Sequence, residues 1–157
     1  MNDVERPGQG TAPDPRRQAW RAVMETHGRI LSVLEGELVA ATGIDLQCYD
    51  VLLHLSEAGE PGLRMRELAE AVVISKSGLT SLVDRMARRG LVERIPDPSD
   101  RRAVLVALTP EGRSRYREAA RVHLAGIDEH FARHLTREQG RMLTTILSTV
   151  QDRVPEA

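Results

Sequence analysis

The stretch from Leu91 to Gly112 constrains the fold of this chain more than any other. Val92 and Arg94, then Val104, Val106 and Leu108, alternate apolar and polar on either side of Asp97-Pro98-Ser99-Asp100-Arg101-Arg102. A period of two on both flanks of a turn-rich segment predicts a β-hairpin, here with a basic tip. A two-stranded ribbon of this length is not stable alone in water and has to lean on neighbouring helices. Those just before it predict a helix-turn-helix: a short helix from about Met65 to Ala71, a tight connection through Val72 to Ile74, and a helix from about Ser75 to Arg89 closed by Gly90. Hairpin and helices together form a winged helix-turn-helix.

The flanks are helical by the same signals. Asp14 caps a helix with Pro15 in its first turn, and Trp20, Val23, His27, Ile30, Leu31, Leu34 and Leu38 recur at helical spacing until Gly43. A second helix starts at Asp45, carries Tyr49, Leu52, Leu53 and Leu55, and breaks at Gly59-Glu60-Pro61-Gly62. Thr109 caps a helix with an apolar stripe of Tyr116, Ala120, Leu124, Ile127, Phe131 and Leu135. Thr136 and Gln139 form a capping box for a last helix bearing Met142, Leu143, Ile146, Leu147 and Val150. The expected fold is mainly α with a small β-hairpin wing, the winged helix-turn-helix (about 45–109) being embedded in an all-helical dimerisation region. Residues 1–13 read as a flexible arm and 14–153 as one domain. Helices 15–42 and 110–153 are more apolar along one stripe than a monomer of this size needs, which points to a homodimer.

The net charge of −1 looks unpromising for a nucleic-acid binder until its distribution is considered. Leu63 to Arg102 holds nine basic and six acidic residues, so this segment stands at +3 and the remainder at −4. No apolar run approaches the roughly 20 residues that span a bilayer, and the N-terminus lacks a signal-peptide core, so the expected location is the cytoplasm, with no membrane partner. The single cysteine, Cys48, rules out an internal disulfide framework.

In the helix from Ser75, Leu79, Leu82, Val83 and Met86 face the core. The opposite face presents Lys76, Ser77, Thr80, Ser81, Asp84, Arg85 and Arg88. Small hydroxyl residues let a helix approach the floor of a major groove and bond base edges or phosphates, and the free amides around Ser75 favour a phosphate. Arg101 and Arg102 at the hairpin tip suit the adjacent minor groove, with Asp100 holding Arg102 in one rotamer. The candidate DNA contacts are therefore Ser75, Lys76, Ser77, Thr80, Ser81, Arg85, Asp100, Arg101 and Arg102. The bland alternative is a solvated helix face and an ordinary turn.

Asp100-Arg101-Arg102 followed by Leu108-Thr109-Pro110-Glu111-Gly112 resembles the wing and helix start of the MarR family of transcriptional regulators. So do Glu67-Leu68-Ala69, Ser77-Gly78-Leu79-Thr80, Val83-Asp84-Arg85 and Gly90-Leu91-Val92. The resemblance covers about residues 15–152. It implies a homodimer on a pseudo-palindromic double-stranded DNA operator, usually as a repressor, released by small phenolic or lipophilic ligands or by oxidation. It also makes Asp100 and Arg102 the wing pair and the helix from Ser75 the recognition helix.

For a small aromatic or lipophilic effector, the candidate wall is Trp20, Met24 and His27 on the first helix with Tyr49 and Leu53 on the second. A redox role is the alternative for Cys48, in a first helical turn whose dipole lowers a thiol pKa, against a small buried residue by default. His130 and His134 stand four apart on the helix of His123, but nothing nearby completes a metal set, so neither metal nor cofactor is expected. No nucleophile with a base, phosphate loop or metal cluster marks an enzyme. The other alternative is a winged-helix protein-interaction module.

Overall fold

The computed structural model describes residues 14–155 except 73 and 74, and the side chains of Lys76, Arg101 and Arg102 are also outside the described set. The expected arm at 1–13 and most of the Val72–Ile74 connection therefore lie outside the described residues. The order is α1 (Pro15–Thr42), α2 (Leu46–Ala58), β1 (Leu63–Arg64), α3 (Met65–Ala71), α4 (Lys76–Arg88), β2 (Val92–Asp97), β3 (Asp100–Leu108), α5 (Pro110–His130), a 3-10 turn (Ala132–His134) and α6 (Arg137–Gln151).

Local chemistry sets most of these boundaries. Asp14 accepts from the Arg16 amide, Asp45 from Cys48, Ser75 from Gly78 and Thr109 from Gly112. The Thr136–Gln139 box opens α6. Gly43 and Gly90 end α1 and α4.

The fold is mainly helical with a small antiparallel sheet, as expected, but the sheet has three strands in the order β1-β3-β2. Leu63 pairs with Val106 and Arg64 with Leu105. Gly62 makes this possible: at φ +113°, any Cβ there would sit 2.3 Å from the Val106 carbonyl oxygen. The hairpin pairs Val92 with Leu108 through Asp97 with Asp100, with a register shift at Pro96 and Asp97.

One core lies between α2, α3, α4 and the sheet. Leu52, Leu55, Leu68, Leu79, Val83, Met86 and Val106 are wholly buried there, and Ala119 of α5 seals it. Val104 departs from the expected alternation and is exposed, because beyond Pro96 the ribbon projects past the core.

The flanking helices differ from expectation too. α5 stops at His130, so Phe131 and Leu135 do not continue one helical stripe, and Leu124 points to solvent. The buried positions of α5 are instead Gly112, Ala119 and Gly126, spaced by seven. Small residues let α1 come close: a Cβ on Gly126 would meet Leu34 Cδ2 at 2.5 Å. Of the 28 residues of α1, only Leu34, Leu38 and Thr42 are buried, and α6 buries none. No single helix among the described residues is long and apolar enough to cross a membrane.

Candidate nucleic-acid interface

The face of α4 opposite its buried leucines is open. Ser77, Thr80, Ser81 and Arg88 are exposed, as is the cap Ser75, whose Oγ accepts from Gly78 at 3.2 Å and lies 3.5 Å from that of Ser77. Lys76 belongs to this face by position, with its side chain outside the described residues. β2 and β3 lie beside the helix, joined to it by Arg94 of β2, which donates to Asp84 at 2.5 Å. That pairing neutralises the one carboxylate of α4.

Most arginines of the basic segment are already engaged. Arg64 binds Asp97, Arg66 binds Glu70 at 3.0 Å, and Arg89 donates to the Gly43 carbonyl at 2.9 Å. Arg85, expected at DNA, turns to the start of α2, where it donates to Asp45 at 3.0 Å and to Cys48 Sγ at 3.8 Å. Arg88 has no such partner among the described residues. Much of the positive charge of this segment is therefore paired within the chain, and among the described side chains Arg88 is the arginine of this segment left without a carboxylate or carbonyl partner. Of the expected wing residues, Asp100 opens β3 at the tip, followed directly by Arg101 and Arg102.

Asp97 is the residue that sequence reasoning missed. It is the only buried residue from Glu93 to Asp100. Its Oδ2 accepts from Arg64 Nε at 2.8 Å and Nη2 at 2.5 Å, and its Oδ1 accepts from Ser99 Oγ at 2.6 Å and the Ser99 amide at 2.7 Å. The Ser99 hydroxyl, then the Ser99 amide and Arg64, hold its carboxyl down at about 2. Asp-Pro-Ser is an Asx-turn signal that could have found the Ser99 half of this arrangement; Arg64, thirty-three residues away, left none.

Among the described residues, those expected to line an effector site lie in different surroundings. Tyr49 is buried, stacking on Tyr116 at 6.0 Å and lying 4.6 Å from the His123 ring. Leu53 packs at the margin of the core. Trp20 is 66% exposed and Met24 is exposed on the far half of α1. His27 lines a separate apolar cavity of about 460 Å3 with Ile30, Phe131, Leu143 and Leu147. Burial pushes the His123 imidazole down, and its Nδ1 is buried without a partner among the described residues.

Cys48 corrects the expectation of a lowered thiol pKa. Burial pushes the thiol up, outweighing the neighbouring Arg85. The histidines of α5 also diverge: His123 faces Tyr49, and His130 bonds Glu37 at 2.7 Å.

The sequence model of the MarR family matches residues 42–103. AbsC, a MarR family transcriptional regulator from Streptomyces coelicolor, superposes with a TM-score of 0.81 at 30% identity, covering 92% of this chain and 97% of AbsC. Sco3205, a MarR family transcriptional regulator from the same organism solved in complex with DNA, gives 0.82 at 28% identity, covering 94% of this chain and 96% of its own. CouR from Rhodococcus jostii RHA1, solved bound to p-coumaroyl-CoA, gives 0.76 at 25% identity, covering 93% and 100%. The alignment to the curated multiple antibiotic resistance protein MarR of Salmonella typhimurium, at 29% identity, covers 54% of this chain and 58% of that protein's length.

Proposed function

Since this chain belongs to the MarR family of transcriptional regulators, we propose that it acts as a homodimer on a pseudo-palindromic double-stranded DNA operator, as a repressor in the cytoplasm. α4 enters the major groove with Ser75, Lys76, Ser77, Thr80 and Ser81, and Arg88 meets the phosphates beside it. The wing carries Arg101 and Arg102 to the flanking minor groove, with Asp100 positioning Arg102. Arg85 acts by holding α4 against α2 through Asp45. The observation that carries this reading is the hydroxyl-lined outer face of α4, exposed while Leu79, Leu82, Val83 and Met86 on its inner face are buried.

Dimerisation runs through 15–42 and 110–153. It is supported by the apolar residues that one chain leaves uncovered: Trp20, Met24 and Leu31 on α1, and Met142, Ile146 and Val150 on α6. Two-fold symmetry then sets two copies of α4 side by side. The effector is a small aromatic or lipophilic molecule. Support comes from p-coumaroyl-CoA in CouR and from the His123 Nδ1, which offers a hydrogen bond beside Tyr49 at the α2–α5 junction.

Fluorescence anisotropy of a labelled fragment of the gene's own upstream region, taken across a salt series, tests the reading. Affinity should fall steeply as salt rises, and Arg102→Ala should weaken binding while leaving a dimer on a sizing column. Weak binding that is flat with salt favours the protein-interaction module instead.

A further inference from the structure

The wing is a ribbon with little beneath it. Between Glu93 and Asp100 every side chain is exposed or half-buried except Asp97, and Val104 on the opposing strand is exposed as well. Beyond the pair of Ile95 with the buried Leu105, apolar contact therefore does not fix the direction of the tip. Arg94 ties the base of β2 to Asp84 of α4; nearer the tip, Asp97 reaches back to the body, accepting two donors from Arg64 and two from Ser99 of its own turn.

Arg64 has two further roles. It is the last residue of β1, paired with Leu105 of β3, and it is also the N-cap of α3, where its amide donates to Glu67 at 2.7 Å. The ribbon shifts register at Pro96 and Asp97, so the carboxylate sits where the hairpin bends. One side of Asp97 thus grips the residue that opens the first helix of the helix-turn-helix. Its other side grips Ser99, two residues before Arg101.

We propose that Asp97 and Arg64 are positioning residues for DNA recognition, a polar latch that fixes the wing to the start of α3 so that tip and recognition helix meet the duplex as one rigid body. Arg64 closes two N–H donors on one oxygen of Asp97 while Ser99 holds the other, so the carboxylate is fixed from both sides, which a single contact would not do. With the latch closed, the ordering cost of the tip is met on folding, and less is lost when DNA binds. The latch rests on the DNA-binding reading for its purpose but not for its existence.

The test uses the full-length protein with Asp97→Asn, which keeps the shape and removes the charge, and with Arg64→Gln, at a more exposed position, in case the first variant does not fold. Amide hydrogen exchange is measured first: residues 97–105 should exchange at least about tenfold faster in either variant, with α1 and α5 unchanged. Unchanged exchange at the wing overturns the latch whether or not the protein binds DNA.

Operator affinity is then measured in a cycle with Arg102→Ala. Asp97→Asn should weaken binding by about tenfold and lower the salt slope by about two, the yield of two tip arginines. In the Arg102→Ala background the same change should weaken binding by less than about threefold, because the contact it positions is already gone. Additive losses overturn the positioning role. Absence of operator binding by the wild type overturns the DNA-binding reading, and the exchange data still decide the latch.

Discussion

α4 and α6 carry nearly the same pattern and meet opposite fates. Leu79, Leu82, Val83 and Met86 of α4 are buried by α2, α3 and the sheet of the same chain. Met142, Ile146 and Val150 of α6 are at least half exposed, and Leu143 and Leu147 reach only the cavity beside α1. Periodicity therefore says that a helix has an apolar face, and nothing about what covers it. The head is covered within one chain; the helical flanks leave apolar side chains exposed.

Leu52→Ala in the head should give the largest effect. It empties a fully buried site, and urea unfolding should show a loss of about 2–5 kcal/mol. A loss no greater than that of Ile146→Ala would break the contrast between the two regions. Ile146→Asp should act on assembly instead: it sets an unpaired charge in the proposed contact and should raise the dimer dissociation constant at least about tenfold by sedimentation. Unaltered dimerisation in that variant would remove α6 from the interface.

A smaller effect is expected within the head. Arg88→Ala, which takes away a cation with no partner among the described residues, should weaken operator binding roughly three- to tenfold and lower the salt slope by about one. Arg66→Ala, whose side chain is engaged by Glu70, should change binding less.

The smallest effect concerns the junction of the two regions. The His123 imidazole is pushed down by burial, so the unfolded chain takes the proton first. Stability held above about pH 6.5 is lost as pH falls below it. His123→Phe should flatten the melting temperature between about pH 7.5 and 5.5, and an unchanged pH profile would place the imidazole in water.

Much of the fold was legible because its signals are local. Asp14, Asp45, Ser75, Thr109 and Thr136 each announce a helix within three residues of the bond they accept. β1 was not legible: two residues have no periodicity, and Leu63-Arg64 becomes a strand only because Gly62 lets the backbone close on β3. The proposed DNA face of α4 was legible as the complement of its leucines. Which arginines remain for DNA was not, because a charge count does not say that Arg85 lies on Asp45 or Arg94 on Asp84. Tyr49 read in sequence as part of an effector wall, and its stacking with Tyr116 and His123 was not legible there because those partners lie about 70 residues away in α5.

The sequence by itself determined where the helices begin, that the segment after α4 is a basic-tipped hairpin, and that the segment spanning them is positive. Caps, turns and periodicity act over a few residues, so the order of amino acids contains them in full. Only the tertiary structure decided which apolar stripe is core, which arginines are paired within the chain, and that Asp97 meets Arg64. Those outcomes depend on partners such as Arg64 to Asp97 and Asp45 to Arg85, separated by 33 and 40 residues and brought together by the packing of the core between them.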